Sequence, residues 1–156
     1  MKQILLICAV VMGGCASTPT NWVSDPSDLN SVKIEAAIRE AAKKPTGELT
    51  KADLDKVKSL NLSVKGLTDV KGLEKLTQLK LLDLGINQLT EVPKGLEKLT
   101  QLELLSFSSN KLRSVKGLEK LTQLKSLNLN DNPPLAKAQI DQLKKALPNC
   151  KIDSWK

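Results

Sequence analysis

The chain has 156 residues, a formal charge of +7 and a composition that is 40% hydrophobic but only 2% aromatic. It contains neither His nor Tyr, which removes the commonest general base and metal ligand and leaves the core to aliphatic side chains. The basic excess fits an acidic partner, an anionic surface or simple solubility. Lys and Glu intersperse through the middle of the chain without a block of like charge, which favours solubility.

The N-terminus reads "MKQILLICAVVMGGC". One Lys, an apolar run over 4–12 and two glycines have the order of a secretory signal peptide. The run is too short for a bilayer, which takes roughly 20 apolar residues. The segment Met12-Gly13-Gly14-Cys15 resembles the cleavage box of bacterial lipoproteins, with Met12 where Leu is usual. That resemblance implies that residues 1–14 are removed and that Cys15 carries diacylglycerol and an N-acyl chain, together a firm membrane anchor. It also implies, because Ala16 and not Asp follows, the outer membrane if the cell is Gram-negative. Residues 15–27 are then a lipidated tether, whose Trp22 either dips into the membrane interface or, as the favoured reading, packs on the following cap. Cys8 leaves with the leader and Cys15 is acylated, so no disulfide can form within the mature chain. Cys150, with no His to activate it, is expected to be a buried structural thiol.

Residues 28–56 read as a pair of helices. "SVKIEAAIREAAKK" places Ile34, Ile38 and Ala41 on one face, with Pro45 and Gly47 after it. Thr50 then stands as N-cap with Asp53 at the reciprocal capping-box position. Asp53 and Asp55 also form an acidic pair, but lysines surround them, which reads as a solvated helix face.

Residues 57–134 repeat. The segments "VKSLNLSVKGL", "LKLLDLGINQL", "LELLSFSSNKL" and "LKSLNLNDNPPL" start 22, 23 and 22 residues apart. Their common form, L-x-x-L-x-L-x-x-N-x-L, alternates with period two and predicts one short strand per repeat. Leu60/Leu62, Leu82/Leu84, Leu105/Phe107 and Leu127/Leu129 point inward, and only stacking of successive repeats can bury them. Between the strands "GLEKLTQL" recurs unchanged, starting at Gly72, Gly95 and Gly117. Its leucines have helical spacing, which predicts a turn of α- or 3-10 helix facing away from the sheet. Asn87, Asn110 and Asn132 are expected to form a buried ladder that satisfies backbone groups where the chain leaves the strand. Lys65 holds that position in the first repeat, which predicts an irregular or edge turn. The pattern resembles the leucine-rich repeat family, with repeat lengths similar to those of bacterial internalin-type proteins.

Residues 135–156 read as a closing cap: an amphipathic helix with Ile140, Leu143 and Leu147 inside, then "CKI" as a last edge strand. The resemblance implies an α/β fold: a short leucine-rich repeat solenoid with a parallel β-sheet on its concave face, short helical or 3-10 segments on its convex face, and helical caps at both ends.

No nucleophile, phosphate-loop or metal-ligand motif is present, so no catalysis, metal or cofactor is expected. Nucleic acid is not expected either, for want of stacking aromatics. The architecture implied by the resemblance binds protein partners on its concave face. The outward candidates there are Asn61, Leu81, Asp83, Ile86, Leu104, Ser106 and Asn128, with Leu81 and Leu104 as an apolar pair on neighbouring strands. The expectation is a monomeric, non-enzymatic, lipid-anchored envelope protein that binds another protein. The alternative is a structural envelope protein that touches anionic lipid or polysaccharide through its repeated lysines.

Overall fold

The computed structural model describes residues 21–155; the expected leader and the Cys15 acylation site lie outside them. Helix α1 (Leu29–Ala41) starts where the Asp28 carboxylate accepts the Asn30 N–H at 2.9 Å, the usual answer to an unpaired first-turn donor. It buries Ile34, Ala37 and Ile38. It ends at Ala41, ahead of Pro45, because the Ala42 and Lys43 N–H groups close back on the Ile38 and Glu40 carbonyls.

Helix α2 (Lys51–Leu54) is a single turn held by a complete capping box between Thr50 and Asp53. Asp53 is not on a solvated face: it is buried and accepts from Thr50 Oγ1 at 2.7 Å, Lys44 Nζ at 2.6 Å and Lys56 Nζ at 3.1 Å. These donors, Lys44 foremost and Thr50 next, hold its carboxyl well below the ordinary carboxylate range. The neighbouring lysines, which suggested solvation, are its partners.

Five strands follow: β1 (Ser59–Asn61), β2 (Leu81–Asp83), β3 (Leu104–Ser106), β4 (Ser126–Asn128) and β5 (Lys151–Asp153). They form one sheet in chain order, and every neighbouring pair is parallel. The register pairs each residue with its equivalent one repeat on, so Leu60, Leu82, Leu105, Leu127 and Ile152 make one buried row. Leu62, Leu84, Phe107 and Leu129 make a second. Burying a Leu contributes roughly 1.5–3 kcal/mol, and a three-residue strand can collect that only by stacking.

The returns are single 3-10 turns at Leu73–Lys75, Leu96–Lys98 and Leu118–Lys120. Each is entered through a glycine with φ of +84°, +85° or +99°, a conformation that a Cβ disfavours. The octapeptide leucines Leu73, Leu76 and Leu79, with their two later sets of equivalents, are all buried.

The ends are closed by different means. Trp22 forms an antiparallel bridge with Leu49 and lies buried against Gly72. At the other end α3 (Lys137–Ala146) buries Leu143, while Leu147 beyond it is also buried and Ile140 is partly covered. β5 completes the sheet. Cys150 is only half-buried, not the fully buried thiol expected, because it precedes the strand at its exposed end.

Candidate binding face

The sheet face opposite the returns is shaped by two hydrogen-bond ladders that interlock. The inner one is made by Asn87, Asn110 and Asn132, all buried. Asn87 Nδ2 donates to the Leu62 and Leu84 carbonyls at 2.9 and 3.0 Å, and its Oδ1 accepts the Leu67 N–H at 2.9 Å. Asn110 repeats this with Leu84, Phe107 and Leu89, and Asn132 with Phe107, Leu129 and Leu112. Lys65, at the same position in the first repeat, is exposed and gives its N–H to Asn87 Oδ1 at 3.2 Å.

The inner ladder has a consequence for the outer face. In a regular parallel ladder the Leu62, Leu84 and Phe107 carbonyls accept the N–H groups of Gly85, Ser108 and Asn130. The asparagine amides occupy those carbonyls, so the displaced N–H groups need other acceptors. They find side chains two residues back on their own strands. Asp83 Oδ1 takes Gly85 N–H at 2.9 Å, Ser106 Oγ takes Ser108 N–H at 3.5 Å, and Asn128 Oδ1 takes Asn130 N–H at 3.0 Å. On edge strand β1, Asn61 Oδ1 likewise accepts from Ser63 N–H and Oγ. Short polar side chains that bond the backbone two residues on suit this task. Asn61, Asp83, Ser106 and Asn128 thus use an oxygen within the fold, whatever else they contact.

Three other candidates remain more open. Leu104 is 42% and Ile86 57% exposed, and Leu81 is half-buried beside Leu104 in the register. Sequence reasoning missed two further residues. Val64, 67% exposed, lies one repeat before Ile86. Both have left-handed backbones, with φ of +57° and +52°, rare for a β-branched residue. Trp155, beyond β5, continues the sheet register: Asp131 N–H donates to its carbonyl at 2.9 Å, just as Ser109 donates to Asn130. The face therefore holds an aromatic side chain that the outward positions of the four repeats do not supply.

The charges on this face are few. Lys151 and Asp153 pair at 3.3 Å, and Asp83 and Asp131 add acidic groups. Along the edge where the strands begin, Lys125 and Lys80 flank Glu103 and lower its pKa, Lys125 being the larger cause. Burial pushes the Cys150 thiol upward, which disfavours the thiolate. Among the described residues no group of acidic or Cys side chains converges as a metal site would require. No helix among them is long and apolar enough to cross a membrane. A recess of about 400 Å³ opens elsewhere, between α3 and the third return, lined by Val115, Glu119, Gln139 and Leu143 among others.

The family described as Leucine Rich repeats (2 copies) matches residues 100–145. Internalin C2 of Listeria monocytogenes is similar in structure at a TM-score of 0.69 and 28% identity, covering 77% of this chain and 52% of that one. The described chain folds as a leucine-rich repeat solenoid. A leucine-rich repeat protein of Leptospira interrogans is 30% identical with a TM-score of 0.58, over 65% of this chain and 27% of the other. A Listeria internalin, InlF, shares the fold at 20% identity and a TM-score of 0.57, over 85% and 46% of the two chains. No curated protein matches the sequence. This chain spans about half the length of the internalin C2 chain it matches. It carries an internalin-like set of repeats on a fold typical of protein-binding proteins, and the comparisons indicate no enzymatic family.

Proposed function

We propose that this leucine-rich repeat protein is a non-catalytic, lipid-anchored component of the bacterial cell envelope that binds another protein on its concave sheet face. The observation that carries the reading is the exposed apolar surface at Leu104 and Ile86, with Leu81 beside it, on a face where the repeats differ from one another. The return side, by contrast, repeats eight residues without change. Exposed apolar groups gathered on one face mark contact surfaces. The anchor rests on the Met12–Cys15 box alone.

The test is crosslinking in cells followed by recovery of partners with wild type and with Leu81→Asp/Leu104→Asp. Loss of partner recovery in the double variant is expected, and equal recovery overturns the concave-face assignment. In the same cells Cys15→Ser is expected to release the protein from membranes, and unchanged retention overturns the anchor. The alternative, contact with anionic lipid or polysaccharide, uses the exposed return-side lysines such as Lys71, Lys94 and Lys116. It predicts instead that partner recovery is indifferent to Leu81 and Leu104 and sensitive to those lysines.

A further inference from the structure

Trp155 combines a fixed backbone with a free ring. A regular ladder gives its N–H to the Leu129 carbonyl, but Asn132 Nδ2 occupies that carbonyl at 3.0 Å. The Trp155 N–H goes instead to Oδ1 of the buried Asn130, at 2.9 Å. Its carbonyl accepts from Asp131 N–H, also at 2.9 Å. Both backbone groups are therefore clamped, yet the side chain is 63% exposed. By the alternation of β5, in which Ile152 is buried and Lys151 exposed, Trp155 falls on the same outer face as Leu104. An aromatic side chain held this way loses little freedom when it is covered, and Trp is the residue type most enriched at binding hot spots.

The surroundings specify the chemistry of what covers it. The chain as a whole carries +7, but the outer sheet face does not share that excess. Among the described residues its charged positions are Asp83, Asp131, Asp153 and Lys151, with Lys151 paired to Asp153, and along its edge Lys80 and Lys125 paired to Glu103. Asp131 is bonded to Trp155 through the backbone, and Asp153 lies two residues before it on the same side of the strand. An exposed indole face with carboxylates beside it favours a cation, through the ring quadrupole and the charges together.

We propose that Trp155, with Asp131 and Asp153, forms the anchoring corner of the concave face, and that its partner is a protein presenting a segment with Lys or Arg among apolar residues. The cation lies on the indole, and the apolar residues reach toward Leu104. Five strands at roughly 4.8 Å span about 19 Å, which suits a segment of about six extended residues. This rests on the concave-face reading above and names the partner's chemistry.

The test uses the full chain in detergent and three labelled eight-residue peptides, alternating Arg with Leu, Glu with Leu, or Ser with Leu. Tryptophan emission reports contact directly, because Trp155 is exposed and Trp22 is buried. The Arg peptide is expected to bind, to change the emission and to weaken as salt rises. Trp155→Ala is expected to reduce its affinity about tenfold or more, and Asp131→Asn/Asp153→Asn several-fold, with unchanged thermal unfolding. Equal binding of the Arg and Glu peptides, no binding of the Arg peptide, or full affinity in Trp155→Ala each overturns the proposal. Leu81→Ser/Leu104→Ser separates the two readings. If it abolishes binding while Trp155→Ala does not, the concave face stands and the corner falls. If neither variant alters binding of the Arg peptide, both fall.

Discussion

Left-handed backbone occurs on both sides of the solenoid, and the two sides meet it differently. On the return side it falls at Gly72, Gly95 and Gly117, and glycine fills it every time. Where the chain leaves the sheet it falls at Val64, Ile86, Ser109 and Asp131, with φ between +52° and +57°. The demand on the backbone is alike, but glycine meets it at none of these four positions, although Gly66 (φ +65°) follows Val64 two residues on. Two of the four residues are β-branched and more than half exposed, so neither backbone ease nor core packing selects them. The return side is chosen for geometry. The sheet side is chosen for what its side chains present, which is why sequence identity in the octapeptide is the less informative feature.

The asparagine ladder joins the two sides, and breaking it has the largest effect. Its interior carbonyls are doubly met: Leu84 accepts from Asn87 and Asn110, and Phe107 from Asn110 and Asn132. At the first repeat, where Lys65 replaces Asn, Asn87 is the side chain that serves Leu62 among the described residues. Asn87→Ala therefore strands the Leu62 carbonyl and the Leu67 N–H together, and is expected to cost about 3–4 kcal/mol. Asn110→Ala leaves its carbonyls a second amide donor and strands the Leu89 N–H, for about 1–2 kcal/mol. Urea unfolding measures both. Equal losses contradict the shared ladder.

The three glycines grade the return side more finely. A Cβ on Gly72 lies 2.8 Å from the Trp22 ring, one on Gly95 lies 3.0 Å from Glu74 Cβ, and one on Gly117 meets nothing within 4 Å. All three alanines carry the left-handed cost of about 1–2 kcal/mol. Gly72→Ala adds displacement of a buried indole, for a total of about 3 kcal/mol. Thermal unfolding is expected to rank Gly72→Ala lowest and Gly117→Ala highest. The same eight letters are thus worth different amounts in three places, because Trp22 covers one copy and not the others.

Much of this was legible beforehand. The period-two leucines of Leu60–Leu62 and its equivalents define strands and register, and the recurring Asn after them marks the turn. The outer ladder was hidden because Asp83 and Asn128 alternate with leucines and look merely solvent-facing. Their bonding two residues on depends on which carbonyls the inner asparagines occupy. Trp155 was missed because β5 lacks the repeat signature: after Pro133-Pro134 its one inward residue is Ile152. The positive φ at Val64 and Ile86 had no sequence signal at all, since these residue types argue against it.

That last surprise gives the smallest effect and the opposite sign. Asn tolerates left-handed backbone far better than Ile and, unlike Gly, does not greatly loosen the unfolded chain. Ile86 is 57% exposed and contributes little to the core, so Ile86→Asn is expected to stabilise the fold by about 1 kcal/mol. Val64→Asn should act alike, whereas Ser109→Asn, with no β-branched carbon to relieve, should gain less. A stabilised Ile86→Asn that also loses its crosslinked partner shows that the side chain is kept for contact against the preference of its own backbone. Should the variant instead lose stability, the residue is held by packing, and the contrast between the two sides of the solenoid disappears at this position.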